Sequence, residues 1–365
     1  MKIRSVGIRG AGLSGLCVAR ELLALDPKLR VTLFDTRPRL PHPTRTFCFF
    51  HTNRSDSFSV PTVSWPSVVF RGGTFERRID VSRAPYTMIR GDDFFSGTLQ
   101  ALESQGIECV WGCQTVELGP NAISADGHTR TFDVVIDAAF NPHTADTILW
   151  QSFAGVWVTT ERGVFDPSAA TLMDLGPSTP EAPVSFLYIL PTSEHTALLE
   201  HTTFSPSSLP REYHLERCLS WLRNQNAGDV QSGASEYGAI PMGLQNKFDT
   251  GTWSVGTAAG LVRPATGYAF ARTQEHAQKV ANCILNGDSL PTRPYPLWLT
   301  GADTLFLHAL RNAPEKGREL MERLLSHTRP DALISFLSGD IRLLTALSVW
   351  LSVPKRIMIR SLLRV

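Results

Sequence analysis

Apolar positions along this chain follow two different periods, and the switch between them marks its parts. Val6-Gly7-Ile8 ends a short buried strand and opens into Gly10-Ala11-Gly12-Leu13-Ser14-Gly15, after which an Ala- and Leu-rich helix runs from Leu16 to about Leu25. Asp26-Pro27 stops it, because proline restricts the residue before it and cannot continue the helical ladder. Val31-Thr32-Leu33-Phe34 is β-branched and apolar, a second strand that ends on Asp35, so the chain begins as a β-α-β unit. Residues 36–90 are irregular, rich in proline and aromatics, with short strand candidates such as Ser67–Phe70. Helical spacing returns over Asp92–Glu103, where Phe94, Phe95, Leu99 and Leu102 share a face. Two short strands follow, around Cys109–Trp111 and Thr115–Leu118, and then a strongly β segment, Phe132–Asp137, that again ends on an acid.

The middle of the chain alternates. Trp157–Thr160, Thr171–Leu175, Ser185–Leu190 and Ala197–Thr203, with turn residues between them, predict one antiparallel sheet capping the first unit. Tyr213–Asn224 is a helix by its Leu215, Cys218, Leu219, Leu222 spacing; Thr252–Gly256 is a strand and Arg272–Leu285 a helix. From Asp303 onward the chain is helical and carries no catalytic signature, and no internal repeat or low-complexity tract interrupts it. The pattern predicts an α/β fold: a Rossmann-like domain assembled from three stretches of chain, an antiparallel β-sheet cap and a helical C-terminus. The first takes residues 1–45, 91–145 and 245–300, the cap takes 46–90 and 146–244, and the helical segment takes 301–365.

A length of 365 residues against roughly 150 per domain agrees with that division. Hydrophobic residues make up 42% and charged residues 19%, which excludes a disordered or fibrous chain and leans towards apolar substrates. The net charge of +1 lacks the basic excess that nucleic-acid binders show, so no nucleic-acid partner is expected. The six cysteines form no CxxC pair, and Cys109 and Cys113 have no histidine at metal spacing; reduced, mostly buried thiols and no metal are expected. Met1-Lys2-Ile3-Arg4 runs directly into a strand, which predicts no secretory signal, and no run approaches the roughly 20 apolar residues that span a bilayer. The expected location is cytoplasmic.

The strongest chemical motif is Gly10-x-Gly12-x-x-Gly15, preceded by a strand, followed by a helix, with Asp35 at the end of the next strand. Gly10 permits a tight turn, Gly12 lets backbone approach a pyrophosphate, and Gly15 lets helix and strand pack closely. Leu13 and Ser14 open the helix, whose unsatisfied N–H groups suit a pyrophosphate, and Asp35 suits the adenosine ribose hydroxyls. A later segment, Trp253-Ser254-Val255-Gly256-Thr257-Ala258-Ala259-Gly260, repeats the strand, glycine and small-residue order. A second turn of this kind, at Gly256, Thr257 and Ala258 and continued by Thr266 and Gly267, favours FAD over NAD. The first unit is therefore expected to be a Rossmann-like FAD-binding domain of the two-domain flavoprotein type, and the antiparallel β-sheet its substrate cap. Arg9, just before the first glycine, is unusual and reads as salt-bridging or phosphate-facing.

Several segments together resemble the lycopene cyclase family of flavoproteins: Val262-Arg263-Pro264-Ala265-Thr266-Gly267-Tyr268, Trp150-Gln151-Ser152-Phe153-Ala154-Gly155, Phe165-Asp166-Pro167 and Leu172-Met173-Asp174. So do Phe186-Leu187-Tyr188-Ile189-Leu190-Pro191, Leu198-Leu199-Glu200-His201-Thr202, Glu236-Tyr237-Gly238-Ala239-Ile240-Pro241 and Phe336-Leu337-Ser338-Gly339. The chain keeps the first acid of the family's acidic pair but has His201 in place of the second. It reads Ala138-Ala139-Phe140 after Asp137 where the family has Arg and Gly, and Arg45-Thr46-Phe47 where the family has His-Thr-Trp, which marks a divergent member. The resemblance implies a bacterial lycopene beta-cyclase type reaction: protonation of a terminal double bond of a linear polyene, ring closure through a carbocation, and loss of a proton. It implies reduced FAD as the active cofactor, NAD(P)H as reductant through a flavin-reducing system, and no net redox.

Protonating an unactivated alkene needs an acid kept dry, and an apolar pocket raises a carboxyl pKa enough for it to hold a proton. Glu200, after Ala197-Leu198-Leu199 in an apolar strand, suits that task and matches the family's catalytic acid. His201 should point to the opposite face as a structural residue. Asp174 and Glu236 are further candidates, to orient Glu200 or to take the final proton. Phe47, Phe49, Phe50, Trp157 and Tyr188 are candidates to line a polyene tunnel and offer cation–π stabilisation. At the C-terminus, Leu343–Leu351 followed by Lys355, Arg356, Arg360 and Arg364 reads as an apolar stretch with a basic fringe, suited to a membrane surface. The alternative reading is an FAD-dependent monooxygenase or epoxidase acting on an apolar substrate; such enzymes carry an acid where this chain has Thr257.

Overall fold

Five parallel strands form the first sheet, in the order β18 (Trp253–Ser254), β12 (Val134–Asp137), β1 (Ser5–Arg9), β2 (Arg30–Asp35), β8 (Glu108–Trp111). The computed structural model describes residues 3–40, 45–51, 60–139, 147–243, 253–289, 295–339 and 343–356. Between β1 and β2 lies α1 (Leu13–Leu25), which starts three residues before the expected Leu16. The earlier start has a steric cause: Gly15 packs on the Gly10 carbonyl so closely that a Cβ would collide with it, which brings the first turn of the helix onto the strand end. Leu16, Val18, Leu22 and Leu23 of α1 pack with Val6, Ile8, Leu33 and Val280 in one core. Each such buried side chain contributes roughly 1.5–3 kcal/mol relative to exposure. The other flanking helices are α2 (Gly91–Ser104) and α4 (Phe270–Asn286), each within two residues of its expected position.

The second large sheet has seven strands, in the order β17 (Val230–Met242), β13 (Leu149–Thr160), β16 (Thr196–Ser205), β15 (Val184–Pro191), β14 (Ala169–Leu175), β5 (Ser67–Arg71), β6 (Glu76–Asp80). Its four central strands contain the four segments that alternation picked out, but the sheet is neither four-stranded nor wholly antiparallel. The irregular early segment adds β5 in parallel to β14, and the polar edge strand β17 pairs along β13. β17 escapes a reading of hydrophobic periodicity because its exposed half is Gln-Ser-Gly-Ala-Ser, with no apolar face to declare it. Smaller sheets complete the chain: β3 (Thr46–Phe50), β7 (Tyr86–Arg90) and β4 (Thr62–Trp65), and the meander β9 (Thr115–Gly119), β10 (Ala122–Ala125), β11 (His128–Thr131).

The two faces of the seven-stranded sheet are covered differently. On the outer face α3 (Arg211–Asn224) packs Cys218 and Leu222 against Val156, Val158, Ile189 and Leu199. On the inner side, α5 (Leu297–Asn312), α6 (Gly317–His327) and α7 (Pro330–Ser338) share a core with Val68, Phe70, Leu172 and Phe186. The C-terminal helices, α8 (Leu343–Ser352) among them, are therefore built onto the seven-stranded sheet. Among the described residues no helix is long and apolar enough to cross a membrane. Leu343, Leu347 and Leu351 are exposed on α8, whereas Arg360 and Arg364 lie outside the described residues.

Candidate functional site

A cavity of about 710 Å³ lies between the C-terminal ends of the parallel strands and the inner face of the seven-stranded sheet. At one end is the glycine turn. Gly10 takes a left-handed backbone (φ +99°) and donates its N–H to the Phe34 carbonyl at 2.7 Å; Gly12 has open space where a side chain would stand. The first turn of α1 carries no acid and no side-chain cap, so its N–H groups suit an anion. Val255 donates to the Asp137 carbonyl, which brings the second turn, Gly256–Ala259, beside the first. Ser14 packs on Gly256 so tightly that a Cβ there would collide with its Oγ, so the two turns interlock. The second turn is one 3-10 turn that Gly260 ends, not the start of a long helix; Thr257 lines the cavity and Ala258 follows within the turn.

Two ion pairs frame this end. Arg9 binds Asp137 through two bonds, Nε to Oδ1 at 2.9 Å and Nη2 to Oδ2 at 2.5 Å, across the β1–β12 register. Arg9 thus holds a strand end together. Asp35 accepts the Ala11 N–H at 2.8 Å, the Arg37 N–H at 2.8 Å and both ends of the Arg37 guanidinium at 2.9 and 2.7 Å. Burial pushes the Asp35 carboxyl up, but these bonds outweigh it and hold the group below its ordinary value. The carboxylate expected to meet ribose hydroxyls is therefore already engaged by Arg37.

The loop carrying Thr266 and Gly267 closes on itself, with both N–H groups donating to the Arg263 carbonyl. The Arg263 guanidinium is buried in a two-bond pair with Asp303 of α5, at 2.9 and 3.0 Å, and lies over the Phe336 ring of α7. Removing one partner of such a pair typically destabilises by about 3–5 kcal/mol, because the other charge stays buried. This pair ties the glycine loop to helices whose Phe306, Met321, Phe336 and Leu337 form an apolar wall of the cavity.

At the sheet end, Glu200 on β16 and Glu236 on β17 both pair with Gly155 on β13, so the two carboxylates flank one glycine in a single cross-strand row. Both line the cavity. Burial, and then the nearby Glu236 charge, push the Glu200 carboxyl well above its ordinary value, while the Thr202 hydroxyl, donating at 2.9 Å, works against them. Burial also raises Glu236, offset in part by the hydroxyl and N–H of Thr46 and the charge of Arg45. Beside Glu200, Tyr188 is its direct partner on β15, and Tyr86 joins the Tyr188 and Tyr268 hydroxyls at 2.6 and 2.9 Å.

Asp174 is not part of this group. Its side chain meets the Trp221 indole of α3, on the outer face, and it does not line the cavity. His201 also faces outward, as strand alternation requires, with Nε2 2.9 Å from Ser185 Oγ and Nδ1 2.9 Å from His214 Nδ1. Among the aromatic candidates, Phe47 and Tyr188 line the cavity. Phe49 and Phe50 are core residues, stacked on Phe270 and set edge-on to Tyr86. Trp157 stands apart, under the Arg90 guanidinium. Sequence reasoning gave no site role to Gly155, Tyr86, Tyr268 or the wall from α5–α7, although Gly155, Tyr268 and Phe336-Leu337 stood in its motifs. A glycine inside an otherwise apolar strand was the available signal for the first; no local pattern marks the rest as site residues. The six cysteines are free.

The family model described as "Lycopene cyclase protein" matches residues 6–363. The chloroplastic lycopene beta cyclase of Arabidopsis thaliana is 25% identical over 313 residues, covering 78% of this chain and 60% of that protein. The lycopene beta-cyclase of a Paracoccus species is 25% identical over 291 residues, 75% of this chain and 72% of that protein. The chain thus spans about three-fifths of the length of the plant relative. A solved geranylgeranyl bacteriochlorophyll reductase-like protein of Thermoplasma acidophilum superposes with a TM-score of 0.64 at 14% identity, over 98% of each chain. A 2-methyl-3-hydroxypyridine-5-carboxylic acid oxygenase superposes with a TM-score of 0.57 at 12% identity, over 96% of each. At these identities the likeness is one of fold alone: a mixed α/β architecture with large sheets and C-terminal helices.

Proposed function

The chain belongs to the lycopene cyclase family, and from that premise we propose that it is a flavin-dependent enzyme that closes a six-membered ring at the end of a linear polyene without net redox. The observation that carries this reading is the pair of buried carboxyls, Glu200 and Glu236, flanking Gly155 on the cavity face. Glu200, kept protonated by burial, donates its proton to the terminal double bond; the neighbouring double bond attacks the resulting cation and closes the ring. The Glu236 carboxylate then removes a proton from the ring. One proton enters and one leaves, so product and substrate have equal mass. The proton now on Glu236, whose side chain lies over Gly155, returns to Glu200 in the same cross-strand row, which resets the site. Two interacting carboxyls that share one proton are suited to this division of labour. The aromatic rings of Tyr188 and Phe186 in the cavity wall offer their negative faces to the cation.

The residues fit FAD. Gly10, Gly12, Leu13, Ser14, Gly15 and Asp35 would hold its adenosine diphosphate half, and Gly256, Thr257, Ala258, Thr266 and Gly267 its ring half, in a Rossmann-like domain capped by the seven-stranded sheet. Bound in its reduced form, which NAD(P)H would maintain, the cofactor would supply negative charge that stabilises the cation. Exposed Leu343, Leu347 and Leu351 support contact with a membrane surface, where such a substrate dissolves.

A second reading, an FAD-dependent oxygenase of an apolar substrate, draws on the fold shared with the pyridine-carboxylate oxygenase named above. One experiment separates the two. With dithionite-reduced FAD under strict anaerobiosis, the cyclase reading expects a linear polyene such as lycopene to give a product of unchanged mass. A product heavier by oxygen, formed in air alone, would establish the oxygenase instead.

A further inference from the structure

Two polar atoms in the cavity wall are buried without a hydrogen-bond partner: Oε1 of Gln151 and Oγ1 of Thr266. Neither takes part in the acid–base chemistry above. They converge on one place from different elements, Gln151 from β13 and Thr266 from the loop before α4, and both side chains line the cavity around Gly267. The Gln151 amide lies across Gly267, where a Cβ would collide with Oε1. Gly267 has a left-handed backbone (φ +70°), so glycine serves this position twice, for its conformation and for the close approach of the amide. Folded proteins pair nearly all buried polar atoms, and an orphaned one calls for an explanation. Two orphans meeting at one glycine of a ligand-sized cavity have a common explanation in a ligand with matching polar groups.

We propose that Gln151 binds the pyrimidine edge of the flavin ring through its side-chain amide, with the Thr266 hydroxyl beside it; this rests on the flavin reading given above. The chemistry is complementary. That edge presents carbonyl, N–H, carbonyl in sequence, and a carboxamide presents one acceptor next to one donor. The oxygen and NH2 ends of the amide exchange places by a half-turn that leaves its shape unchanged, so either end can face the cavity. Gln151 also shares its strand face with Gly155, four residues along β13, about 13 Å away at 3.3 Å per residue. One stiff strand then sets the flavin edge relative to the row of two acids, a relation that no loop has to maintain.

The test titrates the protein, freed of any bound flavin, with FAD and with its N3-methyl analogue, which lacks the edge N–H. Binding is followed by flavin fluorescence. The wild-type chain is expected to prefer FAD by about tenfold or more, and Gln151→Leu to lose about tenfold in FAD affinity along with that preference. Gln151→Leu with wild-type affinity and undiminished preference would overturn the assignment. Where the Leu variant fails to give a native circular dichroism spectrum, Gln151→Glu decides. It has the same shape, and its carboxylate should make the flavin midpoint potential more negative; an unchanged potential overturns the proposal. A wild-type chain that binds neither compound overturns the flavin reading itself and this inference with it. A wild-type chain that binds both equally overturns this inference alone.

Discussion

Glu200 and His201 are neighbours in the chain and lie on opposite faces of the same sheet. Burial acts on both and pushes each towards its neutral form: the carboxyl upward, the imidazole down to about 3. What differs is the company. Glu200 opens on a cavity and faces a second acid across Gly155. His201 is closed in by Ser185 and by His214 of α3, and His214 itself is driven down to about 4 by burial between the helix and the sheet. The same desolvation therefore leaves a neutral carboxyl open to the cavity on one face, the donor in the proposed reaction, and a hydrogen-bonded imidazole closed in on the other. Neutrality alone does not make a catalytic group; access and a proton-accepting neighbour do.

The comparison breaks most decisively at Glu200. Glu200→Gln keeps the shape and removes the acid, and should lower turnover by roughly 10²–10⁴-fold with FAD affinity unchanged. Product formation and a flavin titration measure the two, and full activity in this variant would move the acid elsewhere.

Glu236→Gln should slow turnover by about 10²-fold and also alter its pH dependence. Part of the rise in Glu200 comes from the Glu236 charge, so removing that charge lowers the Glu200 pKa. Activity that depends on protonated Glu200 would then fall away at a lower pH than in the wild type. An alkaline limb that stays in place contradicts the coupling.

On the outer face, the expected effect is on stability. The His201 pKa lies below its unfolded value of 6.5, so its contribution is complete above pH 6.5 and is lost as the pH falls towards about 3. The Glu200 contribution runs the other way, complete below the ordinary carboxylate value of 4.5 and lost as the pH rises through its raised pKa. Thermal unfolding of His201→Gln should lose about 1–3 kcal/mol near neutral pH from the broken Ser185 and His214 bonds, with a flatter acid side and near-normal turnover per folded molecule. A large fall in turnover without loss of stability would place His201 in the chemistry.

Asp174→Asn should have the smallest effect, under about twofold in turnover and within about 1 kcal/mol in stability, since its company is the Arg71 charge and the Trp221 indole, away from the cavity. A turnover defect like that of Glu236→Gln would mean that the outer face reaches the reaction.

Legibility in the sequence followed locality. The glycine turn, its helix and the acid closing β2 stand within a few turns of chain, each with a steric or capping reason, and were readable in order. Glu200 was readable because it follows the apolar run Ala197-Leu198-Leu199 and stands where the resembled family has its acid. The partner role of Glu236 was not, because it depends on β17 adding to β13 in one register, and β17 carries no apolar signature along its exposed half. A shift of one residue would turn Glu236 to the other face. Arg9 gained its meaning only beside Asp137, which lies 128 residues later.

Local steric and hydrophobic rules along the chain were enough to specify a nucleotide-type β-α-β turn, an alternating sheet, a helical end and one acid in a greasy strand, because each depends on residues a few positions apart. The pairing of two acids around Gly155, the turning away of Asp174, the tyrosine cluster and the wall supplied by α5–α7 came from strand order and helix packing. Those are set by contacts between distant segments, whose free energy no short stretch of sequence contains.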